Sequence, residues 1–391
     1  MRKLFISVCP GEELDFLPAG IETQLFSVPI YELTYKKIEN AVSLLGLSVS
    51  CVRVSANGLP NTSREINAGL EDIVIVASPF TFLAGSKDIE GAIGFVARNE
   101  MGYATVGALR NLYMTVGLGK MVSKTAVGSP ADFVTAILNN GAKCDHRTYA
   151  EAELSAPVSK LNLLTRAERA RQEFLDFFIL SGVEIEARDG IVISPLATIG
   201  KGAKILTGSH IGPDCVIREG AVIGPNAVIE KSEIGEGSVV NFSKVENSVL
   251  GRDITIDPFC YIKGDSHIIS STRIESYTEL INTTVNANAK IGSHCRLVDT
   301  EVGARVVIGS GVVTVSYEIN KKLSKCKIND DAIIGCNSAL ILPLVVGVGA
   351  FVAAGSAITD NVPAGALAIA REYQSNHEGW ASRRKNNVKH I

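Results

Sequence analysis

The chain has 391 residues, a formal net charge of −3, 46% hydrophobic residues and 6% aromatic residues. That length predicts about two domains, and a nearly balanced charge leaves no footprint for a nucleic-acid or membrane partner. The eight cysteines form no Cys-x-x-Cys pair and no zinc-like spacing, which fits a reducing cytoplasm.

The opening Met1-Arg2-Lys3-Leu4-Phe5-Ile6 lacks a long apolar run and a cleavage site, so no secretory leader is expected. Leu4–Val8, Ser50–Val54 and Asp72–Ala77 read as strands, and Tyr31–Leu45, Asp88–Arg98 and Pro130–Leu138 as helices. This alternation predicts a parallel sheet with helices packed on it, a Rossmann-like α/β domain over residues 1–159. Neither Gly-x-Gly-x-x-Gly nor Gly-x-x-x-x-Gly-Lys-Ser/Thr occurs. The first turn, Val8-Cys9-Pro10-Gly11-Glu12-Glu13, has a single glycine, too little room to bring several backbone N–H groups to a pyrophosphate. Residues 160–183 read as a connecting helix, with Thr165 and Glu168 as a capping box and Gly182 as the stop.

From Ile193 the pattern changes. Ile193, Ile199, Ile205, Ile211, Ile217, Ile223 and Ile229 stand six residues apart, and Ala197, Ala203, Ser209, Cys215, Ala221 and Ala227 fill a small slot two places before the last six. Neither a helix nor a half-buried strand needs this period. It predicts an all-β parallel helix of hexapeptide repeats over residues 184–374, each segment one flat side of a coil with its aliphatic residue inward. The phase slips at Ile234, resets at Leu250, slips again at Val285 and Val302, and runs cleanly from Ile328 to Ile358. Ala339 to Ile358 is apolar enough for a membrane span, but Pro343, the glycines and the register favour buried coils. A gap from Thr314 to Lys327, holding Tyr317, Lys321, Lys322 and Lys325, reads as a loop that is either solvated or wrapped on an anion or a neighbouring subunit. Residues 375–391 form a basic tail with Arg383, Arg384 and Lys385.

The order of these segments resembles the bifunctional N-acetylglucosamine-1-phosphate uridyltransferase/glucosamine-1-phosphate acetyltransferase family, the GlmU-like proteins. The resemblance is carried by Arg166-Ala167-Glu168-Arg169, by Ile334-Gly335-Cys336-Asn337-Ser338-Ala339-Leu340, and by Ala353-Ala354-Gly355-Ser356-Ala357-Ile358-Thr359 with Val362 to Arg371. It implies a left-handed β-helix that assembles as a homotrimer and transfers an acetyl group from acetyl-CoA to an amino sugar. The first domain resembles the family's nucleotidyltransferase domain only in degenerate form. Ser78-Pro79 stands where the family has its magnesium-binding aspartate, and the second metal ligand falls near Ser159. Without carboxylates there, Mg²⁺ and uridylyl transfer are not expected.

The resemblance also assigns a site. His294, in Ile291-Gly292-Ser293-His294-Cys295, matches the general base of the Gly-Ser-Lys-x-x-His segment once one inserted residue is allowed. Imidazole suits that work because its unperturbed pKa lies near 6.5. Acetyl-CoA contacts fall at Ser310, Ser316, Tyr317, Cys336, Ala354 and Arg371, and the sugar-phosphate contacts at Lys263, Ile281 and Leu297. Two of those last three are aliphatic, so an acceptor less anionic than glucosamine 1-phosphate is expected, or a non-catalytic β-helix scaffold that binds CoA.

Overall fold

Strand-forming runs and amphipathic helices alternate at the start of the chain because two apolar faces must be buried against each other. The computed structural model describes residues 3–9, 24–26, 28–47, 49–56, 59–60, 68, 70–99, 102–108, 111–121, 129–139, 145–149, 159–315 and 325–380. These fall into two units, Met1–Gly237 and Ser238–Ile391.

The first unit holds a seven-stranded sheet in the order Leu59–Pro60, Ser50–Ala56, Lys3–Val8, Ile73–Ala77, Asn111–Leu118, Gly102–Ala108, Asp145–Tyr149. Ile73–Ala77 is parallel to Lys3–Val8 but antiparallel to Asn111–Leu118, so the sheet is mixed rather than parallel as expected. Among the described residues four α-helices accompany it: α1 (Ile30–Leu44), α2 (Ser86–Arg98), α3 (Pro130–Asn139) and α4 (Lys160–Leu180). Leu4, Ile6, Ile73 and Ile75 of the sheet meet Ile38 of α1, Ile89 and Ile93 of α2 and Phe133 of α3 in one core. A second cluster joins Leu33 of α1 and Phe80, Phe82 and Tyr113 to Leu163, Ala167 and Phe174 of α4.

Helix α4 begins at Ser159, whose hydroxyl accepts the Asn162 N–H at 3.2 Å. Thr165 is inside the helix and donates back to the Leu161 carbonyl, so the capping box expected there is not formed. Gly182 does close the helix: its φ is +96° and its N–H donates to the Ile179 carbonyl. Ser78 likewise caps the short helix Pro79–Leu83, accepting the Phe80 N–H at 3.2 Å. Both positions matched to metal ligands therefore carry hydroxyls engaged in capping.

Coils follow from Glu184. In the first unit the inward columns are Ile185–Ile205–Ile223, Ile193–Ile211–Ile229 and Ile199–Ile217–Ile234, all in parallel register. In the second unit the inward columns are Val240–Ile256–Ile274–Ile291–Ile308–Ile334–Val352, Val245–Ile262–Leu280–Leu297 and Leu250–Ile268–Val285–Val302–Ile328–Val346. The apparent reset at Leu250 is two five-residue steps, with Val245 fully buried between Val240 and Leu250. These ladders form the left-handed β-helix of hexapeptide repeats, and each buried aliphatic contributes roughly 1.5–3 kcal/mol. Residues 339–358 are short coil strands, and no helix among the described residues is long and apolar enough to cross a membrane.

The small slot often carries a polar atom, and burial would be costly if it were unpaired. The coil solves this with the next coil's backbone. Ser243 Oγ donates to the Asp257 carbonyl at 3.0 Å, Thr278 Oγ1 to the Gly292 carbonyl at 3.0 Å, and Cys295 Sγ to the Gly309 carbonyl at 3.2 Å. Burial pushes the thiols of Cys260 and Cys295 up to about 11, and that of Cys326 to about 12. They behave as small apolar groups across the neutral range.

Candidate functional site

One corner of the second unit's coils gathers His294, Ser310, Cys336 and Ala354 of the expected residues. Successive coils stack there through backbone bonds of 2.8 Å: Gly311 N–H to Ser293 O, Asn337 N–H to Ser310 O, and Gly355 N–H to Cys336 O. Ser293, Ser310, Cys336 and Ala354 therefore form a column of small side chains, one per coil. Ser293 Oγ donates to Ser310 Oγ at 3.2 Å, and Cys336 is exposed. Glycine precedes each of the first three because the next coil presses close: a Cβ on Gly292 would lie 2.6 Å from Ser310 N, and one on Gly309 2.7 Å from Cys336 N. Arg371 is exposed and follows Ala370, whose carbonyl accepts the Ala357 N–H at 3.2 Å. Ser316 and Tyr317 lie outside the described residues, as do Lys321, Lys322 and the basic tail beyond 380.

The neighbouring column has positive φ throughout: Phe242 (44°), Phe259 (65°), Tyr277 (61°), His294 (59°), Gly311 (76°) and Asn337 (54°). The rings of Phe259, Tyr277 and His294 stack, and Phe242 meets Phe259 at a tilt of 50° with centroids 6.0 Å apart. Phe259 lies 5.1 Å from Tyr277 with planes 19° apart, and Tyr277 lies 4.9 Å from His294 with planes 25° apart. The imidazole of His294 is thus the upper end of an aromatic column. It is exposed, and its ring nitrogens have no hydrogen-bond partner among the described residues. By contrast His146 Nε2 is bonded to Thr105 Oγ1 at 3.1 Å and His267 Nε2 to Asp265 Oδ1 at 3.1 Å.

The register bears on the inserted residue. Val285, Ile291 and Leu297 are all inward and buried, six positions apart, so this stretch of coil contains no insertion. Counted without one, the histidine of Gly-Ser-Lys-x-x-His falls from Lys290 onto Ser293, the residue before His294. The contact assigned to Leu297 falls in the same way onto Arg296. Leu297 itself is 0% exposed inside the coil and faces away from any ligand on the surface.

Lys263 and Ile281 do face outward as direct partners on adjacent coils, and Ile281 pairs in turn with Val298. Lys263 is not a free charge: its Nζ lies 3.2 Å from Glu279 Oε1 and 4.4 Å from the centre of the Tyr261 ring. Arg296, which sequence reasoning missed, holds the other Glu279 oxygen at 2.9 Å. Two cations share one carboxylate, leaving one unit of positive charge on this face. The alternation of inward Leu297 with its neighbours was the signal that could have found Arg296. Among the described residues no cluster of three His, Cys, Asp or Glu side chains is arranged to hold a metal ion.

Residues 196–231 match the family model described as bacterial transferase hexapeptide (six repeats). The bifunctional protein GlmU of Halalkalibacterium halodurans is 35% identical over 256 residues, covering 65% of this chain and 56% of that protein. Over that span the chain is similar to the GlmU proteins. The bifunctional protein GlmU of Caldicellulosiruptor saccharolyticus is 39% identical over 204 residues, 52% of this chain and 44% of that one. The chain spans about half the length of these curated relatives. A solved structure of the Arabidopsis UDP-N-acetylglucosamine acyltransferase aligns with a TM-score of 0.38 at 18% identity, over 52% of this chain and 77% of that one.

Proposed function

We propose that the chain is an acyltransferase of the hexapeptide-repeat type that moves an acetyl group from acetyl-CoA to the amine of an amino sugar or amino-sugar phosphate, and that it works as a homotrimer in the cytoplasm. The observation that carries this reading is the corner itself, a column of small side chains beside an exposed imidazole. In this reading acetyl-CoA lies along Ser310, Cys336 and Ala354, with Arg371, Ser316 and Tyr317 completing its contacts. His294 takes a proton from the acceptor amine as the nitrogen attacks the thioester carbonyl. The tetrahedral adduct then collapses, the carbon–sulfur bond breaks, and CoA leaves as the thiol once its sulfur is protonated. General-base assistance of this kind is worth about 10²–10⁴ in rate. Lys263 and Arg296 supply the charge for an anionic acceptor. Uridylyl transfer does not belong to the proposed activity, because hydroxyls stand at both metal-ligand positions.

A second reading has its own observation. The unbroken register sets His294 one residue off the motif, which favours a β-helix that binds CoA or a partner without turnover. Release of free CoA from acetyl-CoA, with glucosamine 1-phosphate and a panel of other amino sugars, separates the two. Turnover that falls by about 10²–10⁴ in His294→Ala and survives in Ser293→Ala supports the transferase with His294 as base. Loss in Ser293→Ala alone overturns the assignment of the base. Acetyl-CoA binding without turnover on any amine supports the scaffold, and no binding at all overturns both.

A further inference from the structure

His294 stands where the backbone of the coil is left-handed, and so do the residues below it in the same corner, Phe242, Phe259 and Tyr277. Such φ values suit glycine and asparagine, which hold this place in the coils above as Gly311, Asn337 and Gly355. A bulky ring is strained there. Below His294 the chain accepts that strain on three successive coils, and all three residues are aromatic.

The arrangement produces a stack. Residues of like φ, one coil apart, send their side chains off in the same direction. Neighbouring strands are spaced by about 4.8 Å, close to the separation of the rings, 5.1 Å for Phe259 and Tyr277 and 4.9 Å for Tyr277 and His294. The backbone holds this spacing: the His294 N–H donates to the Ser276 carbonyl at 3.0 Å and the Tyr277 N–H to the Pro258 carbonyl at 3.3 Å.

These rings are not core. Phe259 is 56% and Tyr277 55% exposed, while the residues that follow them, Cys260 and Thr278, fill the interior. What the stack holds is the imidazole. A general base is ordinarily aimed by a hydrogen bond to its second nitrogen. His294 has no such bond among the described residues. A face-to-face contact fixes the plane of its ring instead and leaves both nitrogens unused. The Tyr277 hydroxyl makes no hydrogen bond among the described residues either, so the ring alone is engaged.

We propose that Tyr277 is a positioning residue for acyl transfer: its ring holds the His294 imidazole in the plane from which it takes the acceptor's proton, and Phe259 supports Tyr277 from the coil below. The proposal rests on the reading of His294 as the general base. Tyr277 lies on the coil below His294, whereas Ser310, Cys336 and Ala354 lie on the coils above. Loss of its ring therefore acts on turnover rather than on donor binding. One aromatic contact of this kind shifts the orientation of a ring by a factor of about two to ten.

The test measures acetyl transfer to an amino sugar in the parent, Tyr277→Leu, Tyr277→Asn, Tyr277→Phe and His294→Ala, beside NMR of the full chain labelled with ¹³C-histidine. His294→Ala identifies the His294 ring signals by deleting them. Tyr277→Leu removes the ring and keeps an apolar body; Tyr277→Asn removes it with a residue that the left-handed backbone tolerates. The expected result is a kcat lower by about two- to tenfold in both, with the KM for acetyl-CoA unchanged and the parent's kcat retained in Tyr277→Phe. The His294 ring protons should lose, in Tyr277→Leu and Tyr277→Asn, the upfield shift that a ring beneath them imposes, and keep it in Tyr277→Phe. An unmoved His294 signal in both ring-deleted variants, or an equal loss of kcat in Tyr277→Phe, overturns the proposal. A moved signal with kcat unchanged, where turnover depends on His294, overturns the positioning role and leaves the base in place. Turnover that survives His294→Ala, or is absent from the parent, overturns the general-base reading and the proposal with it.

Discussion

The coils of the second unit and the α/β region of the first bury the same kinds of side chain by different routes. Inward aliphatics of the coils meet their own kind in the coils above and below, as Ile274 does between Ile256 and Ile291. Charges stay outside, in exposed pairs such as Arg273 with Asp257 at 2.9 Å. In the α/β region a single cluster draws on strands and helices together, and a charge is taken inside, Lys37 with Glu173. Order repeated at short range makes a core that is legible and fails rung by rung. Order assembled from distant segments makes one that is less legible and depends on single pairings.

That contrast is open to test, and the largest effect belongs to the α/β region. Glu173→Gln strands the buried Lys37 ammonium and removes a full charge from the start of α2. A loss of about 3–5 kcal/mol in urea unfolding is expected; a loss below about 1 kcal/mol would mean that the pair is solvated like a surface bridge.

Next comes a comparison of neighbours on opposite faces of one coil strand. Ile274→Ala opens a cavity in the inward column and should cost about 2–5 kcal/mol. Arg273→Ala breaks only an exposed ion pair and should cost less than about 1 kcal/mol. Similar costs for the two would refute the inward register.

A smaller effect is expected at the corner. Gly311 has φ +76° and its missing side chain faces the Asn337 amide. Gly311→Ala should cost about 1–2 kcal/mol through the left-handed backbone and push aside the Asn337 amide, whose Oδ1 would clash with the new Cβ, measured by the same unfolding, with the far-UV spectrum unchanged.

The smallest effect is absent at neutral pH. Burial holds Cys260 and Cys295 at about 11 and Cys326 at about 12. An unfolded thiol titrates near about 8.5, so the folded state favours the neutral form. The thiols' contribution is fully present below the unfolded pKa and is lost as pH rises from there through about 11 and 12. The urea midpoint should be flat to about pH 8 and fall above about pH 9, less steeply in Cys326→Ala. A Cys326→Ala profile parallel to that of the parent would contradict this.

How much of this was legible follows from the same contrast. The inward isoleucines could be counted off because their period belongs to the backbone of the coil. Val245 escaped because two five-residue steps look like a gap when only sixes are sought. In the α/β region the strands Gly102–Ala108 and Asn111–Leu118 escaped because their glycines and small residues give no alternation, and their antiparallel pairing makes the sheet mixed. Thr165 and Glu168 match a capping box in letters, yet Ser159 begins the helix.

The column Ser310–Cys336–Ala354 was within reach of the sequence, since each residue holds the same place in its repeat. The aromatic column under His294 was not, because only the folded corner stacks Phe259 and Tyr277 beneath it, with Phe242 tilted against Phe259. The one-residue insertion that produced Leu297 as a contact conflicts with the register, and removing it brings out Arg296.

The central claim is that acyl-CoA lies along the corner of small residues. Cys336 reports on it directly: its thiol is exposed in the middle of that column, and exposed Cys51 in the other unit serves as an internal control. The decisive measurement is the rate of iodoacetamide alkylation at each thiol, read by peptide mass spectrometry with and without saturating acetyl-CoA. Slowing at Cys336 by about tenfold or more, with Cys51 unchanged, is the predicted result. Equal rates at Cys336 with acetyl-CoA demonstrably bound would put the ligand elsewhere and contradict the account.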